Sequence, residues 1–507
     1  MKDAKPPRPD LAAVLEAQAA ALDAARSKAV AQMRAKGGLT IREQLDIFLD
    51  AGSLVEYGRL ARPARPEMQG AADGVVMGVG TVADRAVAVM GYDYTVYAGT
   101  QSLVNHPKAT RMFQLAAERR WPVVTWVEGG GARPHDTIAT QRPSGSTPTF
   151  VAFARLSGMV PTVAVATGYA FAGQANLAGL ADVLIATKRA IIGMAGPPLV
   201  EAAFGRPFTP QEIGPIDVHV ASGVVDILVE DDAAAAVMAK RYLGYFIGPH
   251  VPGEAPDTAK LRDLVPENPR RAYDVRRAIQ GIADLGSVTE LRPGFGKAMV
   301  TALARIEGRP VGFVANQPMY LAGAIDSPAS DKAARFISLC DAHDIPIVIL
   351  CDTPGLMVGP EVETTGLVRH SARILVALAN ATVPFMTVVL RKAYGLGYYV
   401  MGSRPLDPTL LIAWPTAEFG GMGIEGAVNI IHKKELEAES DAEKRAALHA
   451  LRTEQLKASH TALAQAGHYA VDDVIDPAET RAVLARTLRA IPAPLPREGR
   501  KHVVDSW

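Results

Sequence analysis

Residues 108–133, KATRMFQLAAERRWPVVTWVEGGGAR, align without a gap on residues 332–357, KAARFISLCDAHDIPIVILCDTPGLM, at an offset of 224. Seven positions are identical: Lys108/Lys332, Ala109/Ala333, Arg111/Arg335, Leu115/Leu339, Pro122/Pro346, Val124/Val348 and Gly131/Gly355. A second ungapped match, at an offset of 223, sets VPTVAVATGYAFAGQ (residues 160–174) on VPFMTVVLRKAYGLG (residues 383–397). Two matches in the same order at nearly one offset imply a duplicated domain, so one topology is built twice along the chain.

Each copy alternates Ala-rich helical stretches with short Val/Ile-rich runs, which is α/β layering. Between residues 245 and 273 that pattern stops, and Pro249, Pro252, Pro256, Pro266 and Pro269 mark a linker. Domains of 1–255 and 256–507 are therefore expected, in keeping with 507 residues being more than one core organises. The most apolar stretch, residues 374–390, contains Asn380, Thr382 and Pro384 and reads as a buried helix followed by a buried strand, not a membrane span. Charge balances at 53 basic and 53 acidic residues, which argues against a nucleic-acid or membrane-surface binder. Cys340 and Cys351 make neither a disulfide framework nor a zinc site, and the polar, Ala-rich N-terminus lacks a signal peptide's apolar centre. A soluble, cytoplasmic protein with no metal is expected.

The chemistry lies where the repeats end their strands. GYAFAGQ in one half and AYGLGYY in the other place glycine and alanine at strand-to-helix turns, where main-chain N–H groups approach a ligand closely. Such donors suit an oxyanion, although an isolated loop of this kind is more simply a tight turn. Glycines 421, 423 and 426 spell GxGxxG without a clear first βα unit, a weak dinucleotide signal. Arg133 could meet a phosphate or make a structural ion pair, and Glu128 and Asp352 could serve as bases or, more simply, cap a turn. His370 reads as a packing residue, and residues 432–457 read as a solvated, mixed-charge helix. There is no HExxH, GxSxG or Cys/His pair.

GFVANQP (residues 312–318), SDKAARF (330–336), IPIVILCDTPG (345–355), GLVRHSARIL (366–375), AYGLGYYVM (393–401) and AWPTA (413–417) resemble signature stretches of the β subunits of propionyl-CoA and acetyl-CoA carboxylases. ADGVVMGVGTV (72–82), EGGGAR (128–133) and VIDPAETR (474–481) extend the resemblance over residues 39–484. The resemblance implies an α/β protein of tandem duplicated crotonase-like ββα spiral domains. It implies a carboxyltransferase that handles the acyl-CoA thioester in its first half and biotin in its second, with released biotin able to take the α-proton.

By position, the enolate hole maps to Ala172 and Gly173 and the biotin hole to Leu396 and Gly397. Gly130, Gly131, Ala132, Arg133, Gly395 and Tyr398 map to cofactor contacts, and Tyr399 to selection of the acyl chain. The family usually shows Gly-Gly and Gly-Ala at the two holes, so pocket shape differs here and neither propionyl-CoA nor acetyl-CoA is to be assumed. The implied partners are a biotin carboxylase and a biotin carboxyl carrier subunit, and the implied assembly is a homohexamer. A decarboxylase or transcarboxylase of the same fold, or a non-catalytic scaffold, are the alternatives.

Overall fold

The computed structural model describes residues 7–134, 136, 147–269, 271–492 and 502–507. Two compact units meet in sequence between Gly248 and Pro249. In unit 1, seven strands lie in the order Val55–Glu56, Val75–Val82, Arg85–Tyr92, Val123–Trp126, Thr162–Ala166, Val183–Thr187 and Ile227–Val229. In unit 2 the path runs Thr289–Leu291, Met299–Ile306, Arg309–Asn316, Ile347–Thr353, Phe385–Tyr394, Leu410–Ala413 and Asp473–Val474, with Glu418–Gly420 paired to the end of Phe385–Tyr394.

The duplication extends to the register of individual residues. Val82 pairs with Arg85 to close the first hairpin, and Ile306 with Arg309 to close the second, at the offset of 224 read from the sequence. The parallel pairs Ala88/Val123 and Gly312/Ile347 follow at the same offset. Both hairpins turn through two residues of positive φ, Ala83 (50°) and Asp84 (60°) in one, Glu307 (49°) and Gly308 (78°) in the other. A two-residue turn of that hand matches the right-handed twist of the strands it joins, which is why the hairpins keep it without glycine at three of the four positions.

The parallel strands Val123–Trp126 and Ile347–Thr353 are buried along their whole length, and their continuous apolar runs reflect cover on both faces. Helix Asn105–Arg119 lays Ala109, Met112, Phe113 and Ala116 onto the sheet of unit 1 at i, i+3, i+4 and i+7. Its counterpart Ser327–Ala342 is buried on nearly every face, because helix Leu367–Asn380 packs against its other side. Each of the first two helices carries the repeated lysine inward. Lys108 donates to the carbonyls of Ala72 and Val75, and Lys332 to that of Phe295 at 3.0 Å. Burial lowers these ammonium groups to about 8 and about 7.

Residues 374–390 are a helix end and a strand, as their pattern predicts. The proline-rich stretch is not a free linker. Leu261, Leu264, Val265 and Tyr273 lie in the core of unit 2, so the segment wraps that unit, its few apolar side chains outweighing its prolines. The stretch 432–457, expected as one solvated helix, is two: Lys433–Ala438, which buries Leu436, and Ala442–His460, which buries no residue.

Candidate active site

In unit 1 the chain leaves strand Thr162–Ala166, pairs Tyr169–Phe171 with Ile191–Gly193, and turns through Ala172 into helix Gly173–Leu180. In unit 2, Lys392, Ala393 and Tyr394 pair with Glu418, Phe419 and Gly420, and the chain turns through Gly395 into helix Gly395–Val400. The strands that lead into the two turns, Tyr169–Phe171 and residues 392–394, match at an offset of 223, which makes Ala172 the counterpart of Gly395, Gly173 of Leu396 and Gln174 of Gly397. The two donor pairs expected from sequence are thus staggered by one residue relative to the repeat.

The donors themselves are sorted by their partners. The Ala172 N–H donates to the Gly193 carbonyl at 2.9 Å, a sheet bond that takes it away from any ligand and corrects its expected role. Gly173 is the first helical residue, where N–H groups lack an intrahelical acceptor and the helix dipole is positive. It has no room for a side chain, because a Cβ there would lie 1.9 Å from Gln101 Oε1. Gln101 is in turn fixed by donating to the Tyr92 hydroxyl at 2.9 Å.

The glycine run is a frame for this turn. Gly130 N–H donates to the Ala98 carbonyl at 3.0 Å and Gly131 N–H to Gln174 Oε1 at 3.1 Å, so neither expected contact has a main-chain donor to spare. Buried Gln174 also donates from Nε2 to the Gly99 carbonyl at 2.8 Å, tying both loops to the helix start. Ala132 is exposed and pairs with Gln101. In unit 2, a Cβ on Gly397 would lie 2.6 Å from the Gly355 backbone, whereas the Leu396 side chain is 67% exposed. Tyr399, one turn on, is exposed beside it. Tyr398 instead packs edge-on against Phe419, 5.5 Å between centroids, and burial raises its hydroxyl, so it is a packing residue of the turn.

Charged groups nearby are mostly spoken for. Arg133 is buried, meets Asp73 at 2.7 Å and lies 4.9 Å over the Tyr97 ring, which makes it a structural ion pair and not a free phosphate ligand. Asp352 meets Arg391 at 3.0 Å and accepts from the Lys392 N–H at 3.2 Å. Glu128, at the equivalent place in unit 1, accepts from Thr167 Oγ1 at 3.0 Å, and burial pushes its carboxyl up to about 7. His370 Nδ1 lies 2.8 Å from Asp331, as a packing histidine would. Glycines 421, 423 and 426 have open space about them and follow a three-residue strand off the main sheet path, which is not a dinucleotide fold. Among the described residues, no three His, Cys, Asp or Glu side chains could hold a metal ion, and no helix is long and apolar enough to cross a membrane.

Sequence reading missed a cavity of about 630 Å³ in unit 1, lined by Arg26, Arg59, Arg62 and Arg65 beside Ala72 and Tyr97. Three of these arginines recur every three residues among prolines in RLARPAR, a spacing that could have drawn notice.

Compared with known proteins, residues 32–495 match the carboxyl transferase domain family. The chain is 38% identical over 480 residues to the methylmalonyl-CoA carboxyltransferase 12S subunit of Propionibacterium freudenreichii subsp. shermanii, covering 90% of each chain. It is 34% identical to the propionyl-CoA carboxylase beta chain of Saccharopolyspora erythraea, covering 93% of this chain and 91% of that one. Among solved structures, a transcarboxylase 12S hexamer with methylmalonyl-CoA bound matches at a TM-score of 0.89 and 35% identity, covering 99% of both chains. A single-chain, multi-domain long-chain acyl-CoA carboxylase matches at a TM-score of 0.89 and 45% identity, and this chain spans 95% of itself but 49% of that longer protein. The chain belongs to the carboxyl transferase domain family, as an enzyme of the carboxyltransferase type built from two crotonase-like ββα units.

Proposed function

We propose that this carboxyl transferase family member is the carboxyltransferase subunit of a biotin-dependent acyl-CoA carboxylase, placing a carboxyl group on the α-carbon of an acyl-CoA through a thioester enolate. The observation that carries this reading is a strand-to-helix turn repeated at one step of both units, each presenting main-chain donors: Gly173 in the first, Leu396 and Gly397 in the second. A thioester enolate and a ureido oxygen both gather negative charge on one oxygen, and N–H groups already fixed in place stabilise it without reorganising. Gly173 would hold the enolate oxygen, and Leu396 with Gly397 the ureido oxygen.

Biotin, borne by a carrier protein or domain, supplies the carboxyl group when bound. The second turn fits it, since Gly397 packs directly on Gly355 and so leaves the helix start uncovered by any side chain of its own. The arginine-lined cavity of unit 1 suits the phosphates of coenzyme A, with Arg62 beside Arg26, Arg59 and Arg65, which are held in place by Asp93, Glu56 and Glu67. Exposed Tyr399, beyond the second turn, would tune the acyl chain accepted.

A biotin carboxylase and carrier complete the reaction from partner proteins or domains. The assembly is a hexamer in which unit 1 of one subunit works with unit 2 of another, closed symmetry being the usual way such paired surfaces are satisfied. A reducing cytoplasm suits Cys340 and Cys351, both buried thiols. Transcarboxylation is a second reading, favoured by the 38% identity to a methylmalonyl-CoA carboxyltransferase. The test is to offer the purified protein a series of malonyl-CoA homologues with free biotin. Carboxyl transfer to biotin is expected, loss of carbon dioxide without biotin would mark a decarboxylase, and no reaction with any homologue would overturn the reading.

A further inference from the structure

Glu128 and Asp352 occupy one position of the two repeats, and both are buried, 6% and 0% exposed. Unit 2 neutralises its carboxylate with Arg391, whose Nε lies 3.0 Å from Asp352 and whose guanidinium sits 5.0 Å over the Tyr273 ring. At the offset of 223, the residue that stands for Arg391 in unit 1 is Gly168. A Cβ on Gly168 would fall 2.0 Å from Glu128 Oε1, so the longer glutamate already takes the room in which a side chain at this position would begin, and unit 1 carries no arginine here.

Beyond the carboxyl the site is open. A cavity of about 440 Å³ opens on Glu128 and Gly168, with Tyr94 and Tyr169 on its wall, their rings 6.3 Å apart. Among the described residues Glu128 accepts from Thr167, and its nearest cation is Arg189 Nη1 at 4.0 Å. Arg189 has already committed Nε and Nη2 to Asp232 at 3.2 and 2.6 Å. Lys36, also on the cavity wall, is itself exposed.

We propose that this cavity binds a small organic cation of the guanidinium or amidinium class, which meets the Glu128 carboxyl as Arg391 meets that of Asp352, with its N–H groups on Glu128 and Tyr94 and Tyr169 beside it. An anion would instead set a second negative charge next to a buried carboxyl. Because the carboxyl of Glu128 is pushed up to about 7, chiefly by burial, the cation displaces a proton, and its affinity rises with pH across neutrality.

The experiment is titration of the intact protein with methylguanidine, read by calorimetry without any carboxyl transfer, so that its outcome is independent of the catalytic reading. Binding is expected to be about tenfold tighter near pH 8 than near pH 6, with close to one proton released per cation near pH 6 and little near pH 8. Glu128→Gln, which keeps the cavity's shape, should abolish it. Silence up to about 10 mM methylguanidine overturns the proposal, as does binding that survives Glu128→Gln. Acetate binding in its place would overturn it too, since Arg189 and Lys36 would then govern the cavity.

Discussion

Ala172 and Gly395 both have a positive φ, 52° and 56°, at the same step of the two repeats, yet only one of them is glycine. With ψ of −112°, Ala172 lies where a Cβ crowds the chain, a conformation that costs roughly 1–3 kcal/mol outside glycine. The turn is held regardless, since the Ala172 N–H is bonded to Gly193 and its carbonyl accepts from Asn176 at 3.0 Å. Ala172→Gly should relieve that strain at a smaller entropic cost and stabilise the protein by about 1 kcal/mol net. A denaturation midpoint that falls would show that the alanine is not strained.

The buried Arg391–Asp352 pair sets up a second test. Removing Arg391 leaves Asp352 with only the more distant Lys392 ammonium at 3.7 Å, so Arg391→Met should cost up to about 3–5 kcal/mol. Adding Asp352→Asn should recover most of it, because the double variant no longer buries a carboxylate. Chemical denaturation of the three proteins checks this, and two single-variant costs that simply add would refute the coupling.

The duplication was legible because the sheet register repeats with it: the gapless offset of 224 is the offset between the hairpin pairs Val82/Arg85 and Ile306/Arg309. The two turns were legible too, since GYAFAGQ and AYGLGYY sit where strands end. Which N–H remains free was not, because the Ala172 donor is consumed by Gly193, a residue brought near only by the small sheet of unit 1. Arg133 misled for the same reason, its partner Asp73 lying sixty positions upstream. The proline-rich segment hid its own role, as Leu261, Leu264, Val265 and Tyr273 carry too little periodicity to announce a core.

Lys332 predicts a pH signature. Burial lowers its ammonium from 10.5 to about 7, so between those values the unfolded chain binds the proton that the folded chain has released. Stability from this group therefore rises with pH from about 7 towards 10.5 and is lowest below 7, with a slope of at most about 1.4 kcal/mol per pH unit. Lys332→Met removes the titration and leaves that of Lys108 in place. Midpoints followed from neutral to alkaline pH should show the parent gaining on the variant, and parallel profiles would mean Lys332 is no more protonated unfolded than folded.

The last prediction separates a main-chain donor from the side chain attached to it. Leu396 is the counterpart of Gly173 and the second residue of helix Gly395–Val400, so a proline there removes the N–H from a first turn that can accept the ring. Its side chain is 67% exposed, and the residue before it is glycine, which tolerates the restriction proline places on its predecessor. Gly173→Pro and Gly397→Pro are poorer probes, because added atoms would meet Gln101 at 1.9 Å in one case and the Gly355 backbone at 2.6 Å in the other. Leu396→Ala keeps the N–H and should transfer carboxyl groups to biotin at close to the parental rate. Leu396→Pro should lose roughly 100- to 1000-fold in that transfer while still binding acyl-CoA, the cost of one missing oxyanion donor. Circular dichroism and light scattering on both variants establish that fold and assembly match the parent before rates are compared. If proline and alanine give the same rate, the Leu396 N–H does not touch the reacting oxygen, and the donor of the second turn is Gly397 alone.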